Sequence, residues 1–270
     1  MIIDAHSHVH DPVHDHLALL DEAGVDRAVL FGTRPHPERA ADLAAFKREM
    51  RVLHDTLGGR TSGTSGTSGT SGTDAHAAAV DELAAVCAAH PDRFIGFGKV
   101  RLDVPAERIA EEVQRDVVAR GFRGIGELTP PPDGAGLVEP VLRAAADHGG
   151  LPVVVHGFAP TTAGDIATVA GLARRHPRVP LVLSQLGGLH WLQAIELARE
   201  PPNLYLELST VSVVFAVRLA IREVPDRTLF GSDAPYGDPV VTRTTVERAT
   251  PPGELRDRVL GGTFAELLGL

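Results

Sequence analysis

A few short stretches of the sequence carry side chains that could hold a metal ion. His6 and His8 form a His-x-His pair near the start of the chain, His156 ends an apolar run, and Asp233 follows another. In an extended chain residues i and i+2 project to the same side, so the first two place their imidazoles together. Three histidines and a carboxylate with an open coordination position are typical of a catalytic zinc site. The residues therefore predict a metal centre.

Each of these residues also has an interpretation without chemistry. His6 and His8 could be unrelated surface histidines, and His156 could be a core histidine with satisfied hydrogen bonds. Asp233, followed by Pro235, could cap the next helix. If Asp233 belongs to the site, it is both a ligand and the base that takes a proton from bound water. We expect the functional interpretation for all four, because they follow strands that would meet at one edge of a sheet.

Glu127 is a further candidate, in a Gly-Ile-Gly-Glu-Leu stretch. It could be a fourth or bridging metal ligand, or a general acid or base. It could instead be a structural carboxylate paired with an arginine. Its place at the end of an apolar run favours the site.

Short apolar runs alternate with longer amphipathic stretches along the chain. The runs are mostly continuous rather than alternating, which is typical of strands buried on both faces of a parallel sheet. We expect strands at Ile2–Ala5, Ala28–Phe31, Phe94–Val100, Gly124–Leu128, Pro152–Val155, Pro180–Leu183, Leu204–Leu208 and Thr228–Phe230. We expect helices at 38–57, Ala75–Ala89, Pro105–Ala119, Leu137–His148, Ala163–Arg175, Trp191–Arg199, Val211–Arg222 and Val240–Ala249.

This alternation predicts a single-domain α/β protein over residues 1–270, a (β/α)8 TIM barrel with its site at the carboxyl ends of the strands. A doubly wound open sheet is the alternative. It would call for a glycine-rich phosphate loop after the first strand, and the residues there are not glycine-rich.

Composition excludes several function classes. The net charge is −9, with 35 acidic and 26 basic residues, which argues against a nucleic-acid partner. The sequence contains no apolar run long enough to span a bilayer, so no membrane partner is expected. The single cysteine, Cys87, excludes an intramolecular disulfide and is typical of a cytoplasmic protein. A small-molecule substrate remains as the expected partner, and a homo-oligomer is compatible with the sequence.

The connection between the second and third strands contains a low-complexity tract. Residues 61–73 read TSGTSGTSGTSGT, which predicts a flexible insertion without apolar surface to bury. We interpret residues 34–60, ahead of the tract, as a mobile cover near the site.

The ordered set of motifs resembles the amidohydrolase superfamily, and most of all its amidohydrolase-related (amidohydrolase 2) branch of TIM-barrel hydrolases and decarboxylases. The set covers nearly the whole chain and comprises Asp4-Ala5-His6-Ser7-His8, Gly126-Glu127, His156, Leu186-Gly187-Gly188 and Gly231-Ser232-Asp233-Ala234-Pro235. The resemblance implies one divalent ion, usually Zn²⁺, held by His6, His8, His156 and Asp233. It implies that this ion activates water against an ester, lactone or amide, or polarises a carboxylated aromatic that loses CO2.

The sequence departs from the family at Gln185. Proteins of the family usually have a histidine directly before Leu-Gly-Gly, and this chain has Gln185 there. Unlike a histidine, a glutamine side chain does not titrate near neutral pH. A site with one metal ion is therefore favoured over a site with two. The general acid or base would then be Asp233, Glu127 or His190. Gln185 could instead bind a substrate carbonyl or carboxylate, or mark a weakened activity.

Three functions follow as hypotheses. The first is hydrolysis of an ester, lactone or amide by a metal-activated water. The second is non-oxidative decarboxylation of a small aromatic or unsaturated acid. The third is a barrel that binds a metal or ligand without turnover.

Other polar residues are weaker candidates. Glu207 and Ser209 could line the substrate cavity, and Lys99 could be a carboxylated metal bridge. We expect His10, His14 and His16 at solvated helix positions. The remaining histidines are interpreted as structural, namely His36, His54, His76, His90, His148 and His176.

Overall fold

Eight parallel strands form one sheet, and each strand pairs with the next one along the chain. The computed structural model describes residues 1–33, 35–57 and 72–270. The strands are β1 (Ile3–His8), β2 (Arg27–Phe31), β3 (Phe94–Gly98), β4 (Gly124–Leu128), β5 (Val153–Val155), β6 (Leu181–Leu183), β7 (Leu204–Glu207) and β8 (Thr228–Leu229). The amide of Ala5 donates to the carbonyl of Phe230 at 2.9 Å, and His8 donates to Ala234 at 2.7 Å. These bonds bring the last strand back to the first, which confirms the predicted single-domain TIM barrel.

Helices connect the strands on the outside of the barrel. They are α1 (Val13–Glu22), α2 (Leu43–Leu57), α3 (Gly72–Ala89), α4 (Ala106–Glu112), α5 (Glu139–Asp147), α6 (Ala163–Arg175), α7 (Trp191–Ala198), α8 (Val214–Glu223), α9 (Pro239–Ala249), α10 (Glu254–Asp257) and α11 (Thr263–Leu268). The predicted helices lie close to these bounds, and α4 continues as a π-helical segment over Val113–Val118. Within the described residues, no helix is both long and apolar enough to cross a membrane.

The core has two layers, because each strand buries side chains on both of its faces. Buried side chains inside the barrel include Ile3, Phe31, Phe97 and Val154, and Phe264 of α11 joins them from the end of the chain. A larger cluster lies between the strands and the surrounding helices. This double burial explains why the strands are continuous apolar runs in the sequence.

Strand β1 is longer than its apolar residues predict. It extends to His8, because Ser7 and His8 keep the pairing with Leu30 and Phe31 of β2. The two metal-ligand candidates therefore lie within a strand of the barrel rather than in the loop after it.

The long connection between β2 and β3 contains a short 3-10 helix (Pro37–Arg39) followed by α2. Glu38 accepts a hydrogen bond from the amide of Asp11 at 2.8 Å, so this segment contacts the chain just beyond β1. Residues 61–71 of the Thr-Ser-Gly tract lie outside the described residues, whereas Gly72 and Thr73 begin α3. The side chain of His54 also lies outside the described part.

Candidate metal centre

Three donor atoms converge at the carboxyl end of the barrel. The Nε2 atoms of His6 and His8 are 3.4 Å apart, and the Oδ1 atom of Asp233 lies 3.3 Å and 3.2 Å from them. All three residues are buried. Ligands at about 2.1 Å from a tetrahedral ion are about 3.4 Å from one another, so this triangle has the dimensions of one face of a coordination sphere.

Glu207 fixes the orientation of His6. Its Oε2 atom lies 3.0 Å from Nδ1 of His6, and neither residue is exposed to solvent. A carboxylate on one ring nitrogen leaves the other nitrogen free to bind a metal. The suggestion that Glu207 lines the cavity is therefore wrong, because the carboxylate lies behind His6 and also accepts a hydrogen bond from Ser209 Oγ at 2.8 Å. Sequence reasoning missed this role, although the position of Glu207 at a strand end was its signal.

Asp233 is placed by the backbone after β8. It has a φ of 59°, in the left-handed region, and its amide donates to the carbonyl of His6 at 2.7 Å. The buried Asp4 supports this turn by accepting hydrogen bonds from the amide of Ser232 at 2.9 Å and from its hydroxyl. Asp238 caps α9, since its carboxylate accepts from the amides of Val240 and Val241. The helix-capping interpretation of Asp233 is thus wrong.

Glu127 and His156 form a pair beside the three donors. Nδ1 of His156 lies 2.9 Å from Oε1 of Glu127, while Nε2 of His156 lies 3.3 Å from the carbonyl of Ala159. The other oxygen of Glu127 lies 3.8 Å from Nε2 of both His6 and His8. The structure therefore places the five predicted ligands in one site, but only His6, His8 and Asp233 form the donor triangle. His156 is linked to it through Glu127, with both of its ring nitrogens facing other partners.

Gln185 lies between the two carboxylates of the site. Its Nε2 donates to Oε1 of Glu127 at 3.1 Å and to Oδ2 of Asp233 at 3.2 Å. Gln185 is 2 % exposed, so its amide belongs to the wall of the site.

The charges at the site are strongly coupled. Burial lowers the pKa of His6, but Asp233 and Glu127 outweigh this effect and hold it well above its ordinary value. Burial raises the pKa of Glu127, yet the neighbouring His156 and His6 lower it to about 2. His6 likewise brings the pKa of Asp233 below its usual range, against the effect of burial. An ion bound at Nε2 of His6 would compete with the proton that this raised pKa favours there.

Two further polar groups lie beside this centre. Nδ1 of His8 has no hydrogen-bond partner among the described residues, and the buried hydroxyl of Tyr236 lies beside the side chain of Thr33. The ring of Tyr236 meets the ring of His8 edge-on at 5.5 Å. A bound molecule that supplies a partner to these buried polar groups would be stabilised there.

The histidines after β1 are not at solvated positions, apart from His14. His10 and His16 are 3 % and 1 % exposed, and their rings stack at 4.0 Å. Nε2 of His16 lies 2.8 Å from Oγ of Ser7, which places this ring in the core between β1 and α1. The prediction was wrong because the two rings stack on each other and Ser7 supplies a partner for His16, contacts with distant residues that a local sequence pattern does not show.

A second group of potential ligands lies outside the barrel. His76 lies 3.4 Å from Asp116, and Glu112 lies nearby. Arg115 already pairs with Asp116 and Arg101 with Glu112, so both carboxylates are neutralised. These contacts fit the structural interpretation of His76.

Comparison with known proteins identifies the family. A family model described as Amidohydrolase matches residues 3–270. The chain belongs to the amidohydrolase family. No curated protein matches the chain in sequence.

Solved structures of amidohydrolase-related barrels superpose on the whole chain. The 5-carboxyvanillate decarboxylase of Sphingomonas paucimobilis has a TM-score of 0.71 at 19% identity, with 100% of this chain and 99% of that chain covered. The 2,6-dihydroxybenzoate decarboxylase of Rhizobium has a TM-score of 0.63 at 16% identity, covering 99% and 98%. A dihydroxybenzoic acid decarboxylase of Polaromonas, with bound manganese and the inhibitor 2-nitroresorcinol, has a TM-score of 0.67 at 17% identity, covering 100% and 97%. At sequence identities this low, the structural similarity shows that the fold is shared.

Proposed function

We propose that this amidohydrolase-family protein is a metal-dependent, non-oxidative decarboxylase of a small aromatic or unsaturated carboxylic acid. The observation that carries the proposal is the pairing of the donor triangle of His6, His8 and Asp233 with the hydrogen-bonded His156–Glu127 pair beside it. Burial lowers the pKa of His156, but the carboxylate of Glu127 outweighs this and raises it above its ordinary value. The imidazole of His156 is therefore the group that we propose delivers a proton to the reacting carbon.

His6, His8 and Asp233, with Glu127 beside them, would hold a divalent ion, which would supply a Lewis acid for an oxygen of the substrate. Glu127 holds His156 at Nδ1, so the proton offered to the substrate would be the one on Nε2, which would have to leave the carbonyl of Ala159. In the reaction, the substrate carbon takes this proton, the bond to the carboxylate breaks, and its electron pair returns to the ring as CO2 leaves. The proton returns to the His156–Glu127 pair from solvent in each turnover.

Tyr236 is the proposed contact for the body of the substrate. Its buried hydroxyl lies between His8 and Thr33 at the donor triangle, so it would donate a hydrogen bond to a substrate oxygen. Replacement by phenylalanine is expected to raise KM more than it lowers kcat.

The identity of the metal ion, the partner and the cellular compartment are also proposals. We retain a single Zn²⁺ as the expected ion, with Mn²⁺ as the rival because it is bound in the Polaromonas decarboxylase. The expected partner is a small-molecule acid, the expected compartment is the cytoplasm, and a homo-oligomer stays compatible with the sequence.

Hydrolysis of an ester, lactone or amide is the second candidate, and the family match favours it. It requires a base that takes a proton from water. The Oδ1 atom of Asp233 faces the ion position and could serve, as could Glu127. Gln185 cannot contribute, because its amide does not titrate.

One experiment separates the two reactions. The protein loaded with Zn²⁺ or Mn²⁺ is incubated with hydroxybenzoates and other unsaturated acids while CO2 release is measured, and with an ester, lactone and amide panel while acid release is measured. Asp233→Asn should abolish turnover and leave the fold intact, whereas the exposed Asp147→Asn should keep full activity. Acid release without CO2 release would replace the decarboxylase by the hydrolase. Silence of the metal-loaded protein in both assays would favour a barrel without turnover.

A further inference from the structure

Both ends of the Gln185 side-chain amide, the oxygen and the nitrogen, make hydrogen bonds within the protein. Its Oε1 accepts from the amides of Gly157 at 2.9 Å and Phe158 at 3.2 Å. Its Nε2 donates one bond to Glu127 and one to Asp233. The two backbone donors settle which end of the amide is oxygen, since a reversed amide would oppose donor to donor and acceptor to acceptor.

The backbone of Gln185 is fixed just as firmly. Gln185 has a φ of 51°, and the next residue, Leu186, has a φ of 52°. Two neighbouring residues with side chains in the left-handed region cost about 1–2 kcal/mol each, so the surroundings must hold them there. The amide nitrogen of Gln185 donates to Oε2 of Glu207 at 3.1 Å, the carboxylate that also orients His6.

We propose that Gln185 is a positioning residue whose amide fixes which carboxylate oxygens face the ion and fills the place that a second ion would need. Its two N–H groups hold Oε1 of Glu127 and Oδ2 of Asp233. The remaining oxygens, Oε2 and Oδ1, are those that face the histidine nitrogens. Gln185 therefore does not touch the substrate, and it does not mark a lost function.

Other residues could not replace this amide. A leucine would leave the amides of Gly157 and Phe158 without an acceptor, and an asparagine would be too short to reach both carboxylates. A glutamate would keep the acceptor but would direct a negative oxygen at the other two carboxylates. Their combined charge would then favour a second cation between them.

The proposed role of Gln185 rests on the proposed metal centre. It can be tested by measuring metal binding alone, without an assay of turnover. The stoichiometry and affinity for Zn²⁺ and for Mn²⁺ are measured by calorimetric titration and elemental analysis. In the unaltered protein we expect one ion per chain. Gln185→Leu should weaken binding about 10–100-fold, as is usual when a group that orients the ligands is lost. Gln185→Glu should bind two ions per chain.

Gln193 provides the matched control. It is also a glutamine and donates a hydrogen bond to the carbonyl of Ala163 at 3.2 Å, on the outer side of α7. Gln193→Leu and Gln193→Glu should bind one ion with unchanged affinity. Unchanged affinity in folded Gln185→Leu, or one ion per chain in Gln185→Glu, would overturn the proposal. If the leucine variant fails to fold, the glutamate variant, which has the same shape, decides.

These results do not depend on the reaction. If no CO2 is released from any acid but the binding results hold, the decarboxylase fails and the role of Gln185 stands. If CO2 is released but metal binding does not change when Gln185 is replaced, the decarboxylase stands and the role of Gln185 fails.

Discussion

At the scale of single residues, the site consists of side chains in two roles. His6, His8 and Asp233 present atoms to the proposed ion position, whereas Glu207 and Gln185 make hydrogen bonds to His6 and Asp233 from behind. The first group could be predicted, because His-x-His and a carboxylate at strand ends have a direct chemical meaning. The second group could not be predicted, because a sequence does not show which buried polar side chains will contact each other in the fold.

Replacing Glu207 should weaken metal binding. Glu207→Gln removes the charged acceptor from Nδ1 of His6, so the ring is no longer held with Nε2 towards the ion. We expect an affinity for Zn²⁺ about 10–100-fold lower, measured by titration with a competing chelator. Glu200→Gln is the control, since Glu200 is exposed and pairs with Arg174 on the surface. Equal affinities in the two variants would contradict the positioning role.

At the scale of secondary structure, most strand and helix bounds follow from the sequence. Continuous apolar runs give the strands, and the apolar side of each amphipathic stretch gives the helices. The exceptions occur where polar groups find partners from distant parts of the chain. Strand β1 continues through His8 because β2 pairs with it, and α1 buries His16 against Ser7 and His10.

The start of α6 provides a test at this scale. Thr162 and Asp165 form a capping box, and Asp165 also accepts hydrogen bonds from the amides of Asp133 and Ala135 at 2.9 Å and 3.0 Å. Burial raises the pKa of Asp165, but the N–H donors outweigh it and leave the pKa below its ordinary value. Asp165→Asn should therefore lower the free energy of unfolding at neutral pH, by about 1–2 kcal/mol as for the loss of a cap.

The pH dependence of this effect has a defined sign. A carboxyl group with a lowered pKa in the folded state stabilises the fold above its unfolded pKa, about 3.9, and loses that contribution as the pH falls through the folded value. The difference between the original protein and Asp165→Asn, measured by urea unfolding, should shrink as the pH falls below that range. The exposed Asp147→Asn should show no such difference, and a constant difference down to pH 3 would refute the assignment.

At the scale of the whole molecule, aromatic rings connect the site to the opposite end of the barrel. The ring of His6 meets that of Phe31 at 4.9 Å, Phe31 meets Phe97 at 6.0 Å, and Phe97 meets Phe264 at 6.2 Å. Phe264 belongs to α11, so this helix packs on the barrel interior. The barrel itself could be predicted from the count of strands, but the role of α11 could not, because its six residues look like any short surface helix.

Phe264→Ala should destabilise the whole fold. Phe264 is 1 % exposed, and removal of its ring leaves a cavity inside the barrel. We expect the free energy of unfolding to fall by about 3–5 kcal/mol, measured by urea denaturation of the metal-free protein. Phe46→Ala is the control, because Phe46 is 42 % exposed on α2. A loss equal to that of the control would show that α11 contributes little to the core.

The closure of the barrel, in which β8 returns to β1, also sets an order of events during synthesis. His6 and His8 leave the ribosome well before Asp233 and before the ring of Phe264 that completes the interior. A growing polypeptide that lacks Asp233 offers two imidazoles but not the three donors. An ion held by all three would therefore bind only after Asp233 has been made, and its identity would depend on which cations are available to the closed barrel.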